Sequence, residues 1–150
     1  MKRSGVGSKI SFVASSTQIV ADPKGMDEWG NYPHERRRLF DLIEATGAEG
    51  VILLSDNVHF AEISRTDEGP YQTFDFTSSG LTHVNETYAN VPDPLRIGEP
   101  YVDLNFELVE IDWNAELAPP IILTVVGIDG VPAFEYRIPL DNLKADGGTT

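Results

Sequence analysis

The sequence predicts an α+β fold richer in strand than in helix, and three observations carry that expectation. A strand, an amphipathic helix and a wholly aliphatic strand follow one another within the first 55 residues. An aromatic strand follows them. The C-terminal third then holds three more strand-like segments, the last two meeting at Asp129-Gly130. No repeat or low-complexity segment interrupts the 150 residues apart from the closing "KADGGTT". One domain over residues 1–150 is expected, structured from about 10 to 140, with 141–150 a tail.

In order along the chain, "KISFVASSTQIV" reads as the first strand, given β character by Ile10, Phe12 and Val13. "DPKGMDEWGNY" is a loop by its Pro, Gly, Asp and Asn content. A helix opens at Pro33, because a first-turn proline lacks only an N–H that has no helical partner there. Leu39, Leu42 and Ile43, with Phe40, form its expected buried stripe, and Gly47 terminates it. "GVILLS" is short and aliphatic, so it should be buried on both faces. The result is a βαβ unit with a right-handed crossover. Open α/β sheets collect ligands outside the carboxyl ends of their strands, which is where "VILLSDNVHF" places Asp56, Asn57 and His59.

The second half changes character. "YQTFDFTSSG" is a strand with Phe74 and Phe76 on one face and Thr73, Asp75 and Thr77 on the other. Residues 81–104, polar and carrying Pro92 and Pro94, read as one long loop, of a length that is usually functional or disordered. "NFELVEIDW", "PIILTVVGI" and "AFEYRIPL" then form an antiparallel meander, with Asp129-Gly130 as a two-residue hairpin signal.

Composition narrows the function. The net charge is −13, but residues 1–38 hold seven of the eleven Lys and Arg and only four acids. Residues 39–150 hold four bases against twenty acids. Such a surface repels nucleic acid and anionic membranes. It suits a solubilising role, or a cation-rich site, since hard cations take carboxylate and amide oxygens. No apolar run approaches the ~20 residues of a membrane helix. The opening "MKRSGVGSKISFVASS" has too short and broken an apolar run for a secretory signal. With no cysteine, disulfides and thiolate metal sites are excluded.

Four motifs carry chemistry or its imitation. In "SDNVH", Asn57 and His59 would share one side of an extended segment and could share a cation, whereas the plain alternative is an Asx-type turn with a surface histidine. "TSSGLTH" gathers small hydroxyls around Gly80 and ends in His83, offering donors to an anion such as phosphate, or simply a turn. No G-x-S-x-G elbow is present, so a serine nucleophile is not indicated. "NYPHERRRLF" carries His34 and Arg36 to Arg38, which spread over ~200° of helix as a solvated basic face. Trp29, in "EWGN", either walls a pocket or plugs the core.

Read in order, "WGNYPHERRRLFDLI", "GVILLSDNVHFAEIS", "YQTFDFTSSGLTH" and "NFELVEIDW" resemble the C-terminal half of the PhoD-like alkaline phosphatases. These belong to the calcineurin-like metallophosphoesterases, and the resemblance covers roughly residues 10–140. It implies a sandwich of two mixed β-sheets with the metal centre where strand ends meet. It implies metal-assisted hydrolysis of phosphomonoesters and diesters, Ca²⁺ and Fe³⁺ as cofactors, and export from the cytoplasm. The family's L-S-G-D-x-H pattern falls on Leu54 to His59. Its glycine is Asp56 here and its metal-binding aspartate is Asn57, while His59 is kept. Asn57 and His59 are thus the metal-side residues the resemblance implies. His83 matches the family's final histidine, a catalytic position near the phosphate. Trp29 and the Arg36 to Arg38 helix match framework positions.

The D-x-H, G-D-x-x-D and G-N-H-D/E motifs of the family's N-terminal half do not occur in the sequence. The expectation is therefore a segment of a PhoD-like phosphatase, truncated or split, and inactive alone because two ligands cannot fix a binuclear centre. Its expected partners are a phosphoester substrate, a separately encoded N-terminal half and, through exposed sheet edges, a second copy. The alternative is a catalytically inactive, acidic, β-rich interaction module derived from the same family.

Overall fold

A computed structural model describes residues 10–21, 24–115 and 119–145. Its first sheet contains β1 (Ser11–Ala14), β2 (Val51–Ser55), β3 (Ala61–Thr66), β4 (Thr73–Ser78) and β5 (Arg96–Tyr101), in the order β1-β2-β4-β3-β5. Helix α1 (Pro33–Thr46) connects β1 to β2, and a single turn, α2 (Glu86–Ala89), lies between β4 and β5. The second sheet is β6 (Asn105–Ile111), β7 (Pro120–Gly127) and β8 (Pro132–Pro139), antiparallel throughout. This is the β-rich α+β architecture expected, with an N-terminal βαβ unit and a C-terminal meander.

β1, β2 and β4 run parallel, and β3 is antiparallel to β4 and β5. Register sorts the side chains. Ile52, Phe74, Phe76 and Ile63 share the face that meets the second sheet, where Ile121, Leu123 and Val125 complete one core. Phe74 and Tyr136 bring the two sheets together with ring centroids 5.8 Å apart. Each such large apolar side chain contributes about 1.5–3 kcal/mol by leaving water. The opposite face is unusual: Ser55, Glu62, Ser64, Thr66, Thr73, Asp75 and Thr77 are all buried there. Buried polar groups persist mostly when hydrogen-bonded: Glu62, Asp75 and Thr77 take partners from the segment after β1, Thr66 and Thr73 bond to Glu68 and Tyr71, and Ser64 Oγ stays unpaired.

Several expectations change in the fold. The first strand ends at Ala14 instead of running to residue 20. Beyond it the Ile19 and Val20 N–H groups go to the Asp75 carboxylate, at 2.7 and 2.9 Å, instead of to a ladder. The stripe of α1 is Phe40 and Ile43; Leu39 is half-buried and Leu42 is 60% exposed. Leu42 lies roughly 160° around the helix from Phe40, so one packing face cannot take both. Gly47 caps the helix as expected, left-handed at φ 62°.

The long polar loop over residues 81–104 contains α2 and the edge strand β5, whose Pro100 is tolerated because edge strands need fewer ladder bonds. β3 was hidden in the sequence by its buried Glu62 and Ser64. The β7–β8 connection has four residues, 128–131, not two, and is closed by the Gly127 N–H donating to the Val131 carbonyl at 2.9 Å. Residues 141–143, expected in the tail, are part of the fold: Leu140 and Leu143 are buried, and the Leu143 carbonyl accepts the Gly50 N–H at 2.8 Å, while 146–150 lie outside the described residues. Among the described residues, no helix is long and apolar enough to cross a membrane.

Candidate active site

β2 and β4 end side by side at Ser55 and Ser78, with Ser55 paired to Thr77. Because β4 lies between β2 and β3, the Asp56–Phe60 loop must cross over the end of β4. Val58 and Phe60 turn inward onto Ala89 and are fully buried, which leaves Asn57 and His59 half-buried. Both of these residues are left-handed, at φ 87° and φ 61°. The sequence reading of an extended segment is thereby corrected: the pair sits in a turn, not on one side of a strand. Left-handed non-glycine residues cost of order 1–3 kcal/mol each and survive where surroundings over-determine them.

The surroundings here are specific. Asp56 Oδ1 accepts the Asn57 N–H at 2.7 Å. His59 N–H donates to Ser79 Oγ at 2.7 Å, and its carbonyl accepts the Asn85 N–H at 3.0 Å. Ser79 N–H in turn donates to the Phe60 carbonyl at 3.3 Å. These bonds bring the two sequence motifs together. The His59 and His83 rings stand 3.9 Å apart between centroids, tilted by 38°. His59 Nδ1 lies 3.4 Å from the Ser79 carbonyl and His83 Nδ1 lies 3.0 Å from Thr82 Oγ1.

Beneath the loop lies a buried polar network. Ser55 Oγ and Thr77 Oγ1 are 2.7 Å apart. Gln18 Nε2 donates to Thr77 Oγ1 at 3.0 Å and to Glu62 Oε1 at 2.6 Å. Lys24 and Arg96 both pair with Glu62, and Lys24 Nζ lies 3.1 Å from Asp93 Oδ2. Two cations thus offset two carboxylates away from water. Burial pushes the Asp75 carboxyl above its ordinary range, and Glu62 adds to this; bonds from Val20, Ser55 and Ile19 oppose it. Glu107, reaching in from β6, is pushed up to about 9 by burial and then by the charges of Asp75 and Asp56. Its Oε1 is buried without a partner.

No family model matches the chain, and no curated protein matches it in sequence. Among solved structures, one described as "Structure of PhoD" superposes on 95% of this chain with a TM-score of 0.55 and 13% identity. The fold is similar to part of PhoD. The match occupies 32% of that PhoD chain, so this chain spans about a third of its length.

The PhoD likeness invites a test of the donor set. Asn57, His59 and His83 supply one amide and two imidazoles, the imidazoles lying against each other at a 38° tilt. Among the described residues, no group of three or more His, Asp or Glu side chains could hold a metal ion. The set does not fit a complete metal centre by itself. His34 is exposed in the first turn of α1. Arg36, Arg37 and Arg38 pair with Glu68, Asp41 and Glu35. Trp29 is half-buried: one side packs against the core with its Nε1–H on Ser15 Oγ at 3.1 Å, and the other lines a surface hollow beside Leu39 and Leu42, so it serves in both ways. Sequence reasoning missed Gln18, Lys24, Glu62, Arg96 and Glu107. The one available signal was a charged residue, Glu62, between Phe60-Ala61 and Ile63.

Proposed function

We propose that this chain is a segment of a PhoD-like phosphatase fold, and that its chemistry is metal-dependent phosphoester hydrolysis. The observation that carries the reading is the meeting of His59 and His83 at adjacent strand ends in a PhoD-like fold. Asn57 and His59 are the donors this chain would contribute toward a Ca²⁺ or Fe³⁺ site, and His83 would face the phosphate. Further carboxylate or imidazole donors would come from a complementing segment, for which a separately encoded N-terminal half or a second copy are the candidates.

A second reading draws on the same shortage. Asn57 offers no negative charge where a hard cation favours a carboxylate, which supports a non-catalytic, acidic interaction module. Calorimetry with Ca²⁺ and turnover of p-nitrophenyl phosphate separate the two. The phosphatase reading expects Ca²⁺ binding that is lost in His59→Ala and kept in His34→Ala, with turnover weak in the chain alone. Absence of both Ca²⁺ binding and turnover would sink it in favour of the module.

A further inference from the structure

We propose that Gln18 is a positioning residue for the His59–His83 pair; the inference rests on reading that pair as the site. Gln18 lies in the segment after β1, far in sequence from both histidine motifs, and is 1% exposed. Its Nε2 donates to Glu62 Oε1 at 2.6 Å and to Thr77 Oγ1 at 3.0 Å, while its Oε1 accepts from Lys24 Nζ at 3.3 Å. An amide is suited to this place because it carries donors and an acceptor on one neutral group. A carboxylate there would face Glu62 with like charge, and an aliphatic group would offer none of the three bonds.

The partners of Gln18 are the feet of the site. Thr77 stands two residues before Ser79, whose Oγ holds the His59 N–H. Thr77 also meets Ser55, the last residue before the loop. Glu62 stands three residues after His59; Lys24 shares its Oε1 with Gln18, and Arg96 holds its Oε2. One side chain therefore ties the end of β4 to the start of β3, and through Thr77 it reaches Ser55 at the end of β2. The loop between them holds Asn57 and His59 in left-handed conformations, which relax when the ends that enforce them drift. Gln18 sets where the loop's feet stand, and the feet set whether the two rings meet.

The chain has three histidines, so nuclear magnetic resonance can follow each ring, with His34 on α1 as the internal reference. Wild type should show a cross-relaxation peak between the His59 and His83 rings. Gln18→Leu and Thr77→Val should weaken it at least fivefold and shift both rings' signals while His34 stays put. Thr77→Ser, which keeps the hydroxyl, should restore it. Leu143→Ala, a core truncation outside the network, should lower stability and leave the peak intact. If Gln18→Leu does not fold, the Thr77→Val and Thr77→Ser comparison decides alone. A full-strength peak in folded Gln18→Leu or Thr77→Val overturns the proposal, as does its loss in Leu143→Ala. The readout needs no metal and no turnover, so failure of the phosphatase reading leaves a distinct signature: the peak behaves as stated while Ca²⁺ does not bind.

Discussion

Asn105, the first residue of β6, closes directly over Gly80 at the head of the His83 loop. Its backbone N–H donates to the Gly80 carbonyl at 3.1 Å, and its Oδ1 accepts from Ser78 Oγ at 2.6 Å. A Cβ on residue 80 would overlap the Asn105 side-chain amide. Gly80→Ala should therefore destabilise the fold by about 1–3 kcal/mol, the usual cost of overpacking. Chemical denaturation measures it, and adding Asn105→Ala to the same chain should recover part of the loss. A Gly80→Ala variant as stable as wild type would mean that the contact yields freely.

The carboxyl of Glu107 makes stability depend on pH in an unusual direction. Its folded pKa, about 9, lies above the ordinary 4.5. The folded state therefore holds a proton that the unfolded state has released between those values. Its contribution is fully present below pH 4.5 and declines as pH rises toward 9, by at most about 1.4 kcal/mol per unit. Glu107→Gln should match wild type near pH 4.5 and exceed it at about pH 8. Melting curves across that range check the sign; parallel profiles would refute it.

Lys24 stands between two buried carboxylates, Glu62 and Asp93. Lys24→Met removes one of two buried cations, leaving Arg96 as the cation on Glu62 and taking the Lys24 charge away from Asp93. Breaking a buried pair from one side costs about 3–5 kcal/mol. The loss should be nearly independent of salt, since the pair is shielded from mobile ions. Denaturation at about 0.05 and about 1 M salt tests both statements, and a loss erased by salt would contradict the burial.

Gly47 offers a cleaner measurement. It caps α1 at φ 62° and ψ 30°, and a Cβ there would meet nothing within 4 Å. Gly47→Ala should thus lose only the left-handed backbone preference, about 1–2 kcal/mol. Gly47→Asn should lose less, because asparagine tolerates that region. Equal losses for the two variants would point to a steric cost instead.

Local pattern alone determined much of this protein. Pro33 and Gly47 bracket α1, aliphatic "VILLS" makes β2, and alternation in the last third makes the meander, because each signal lies within one element. It also put Asn57, His59 and His83 at strand ends. Tertiary structure decided what depends on distant partners. β3 and β5 are strands despite Glu62 and Pro100, because remote cations satisfy the buried carboxylate and an edge position tolerates the proline. His59 and His83 lie in separate motifs, yet β4 passing under the loop brings their rings to 3.9 Å. Gln18 and Lys24 join the site from the other end of the chain. A buried hydrogen bond belongs to two residues at once, and only the fold says which two.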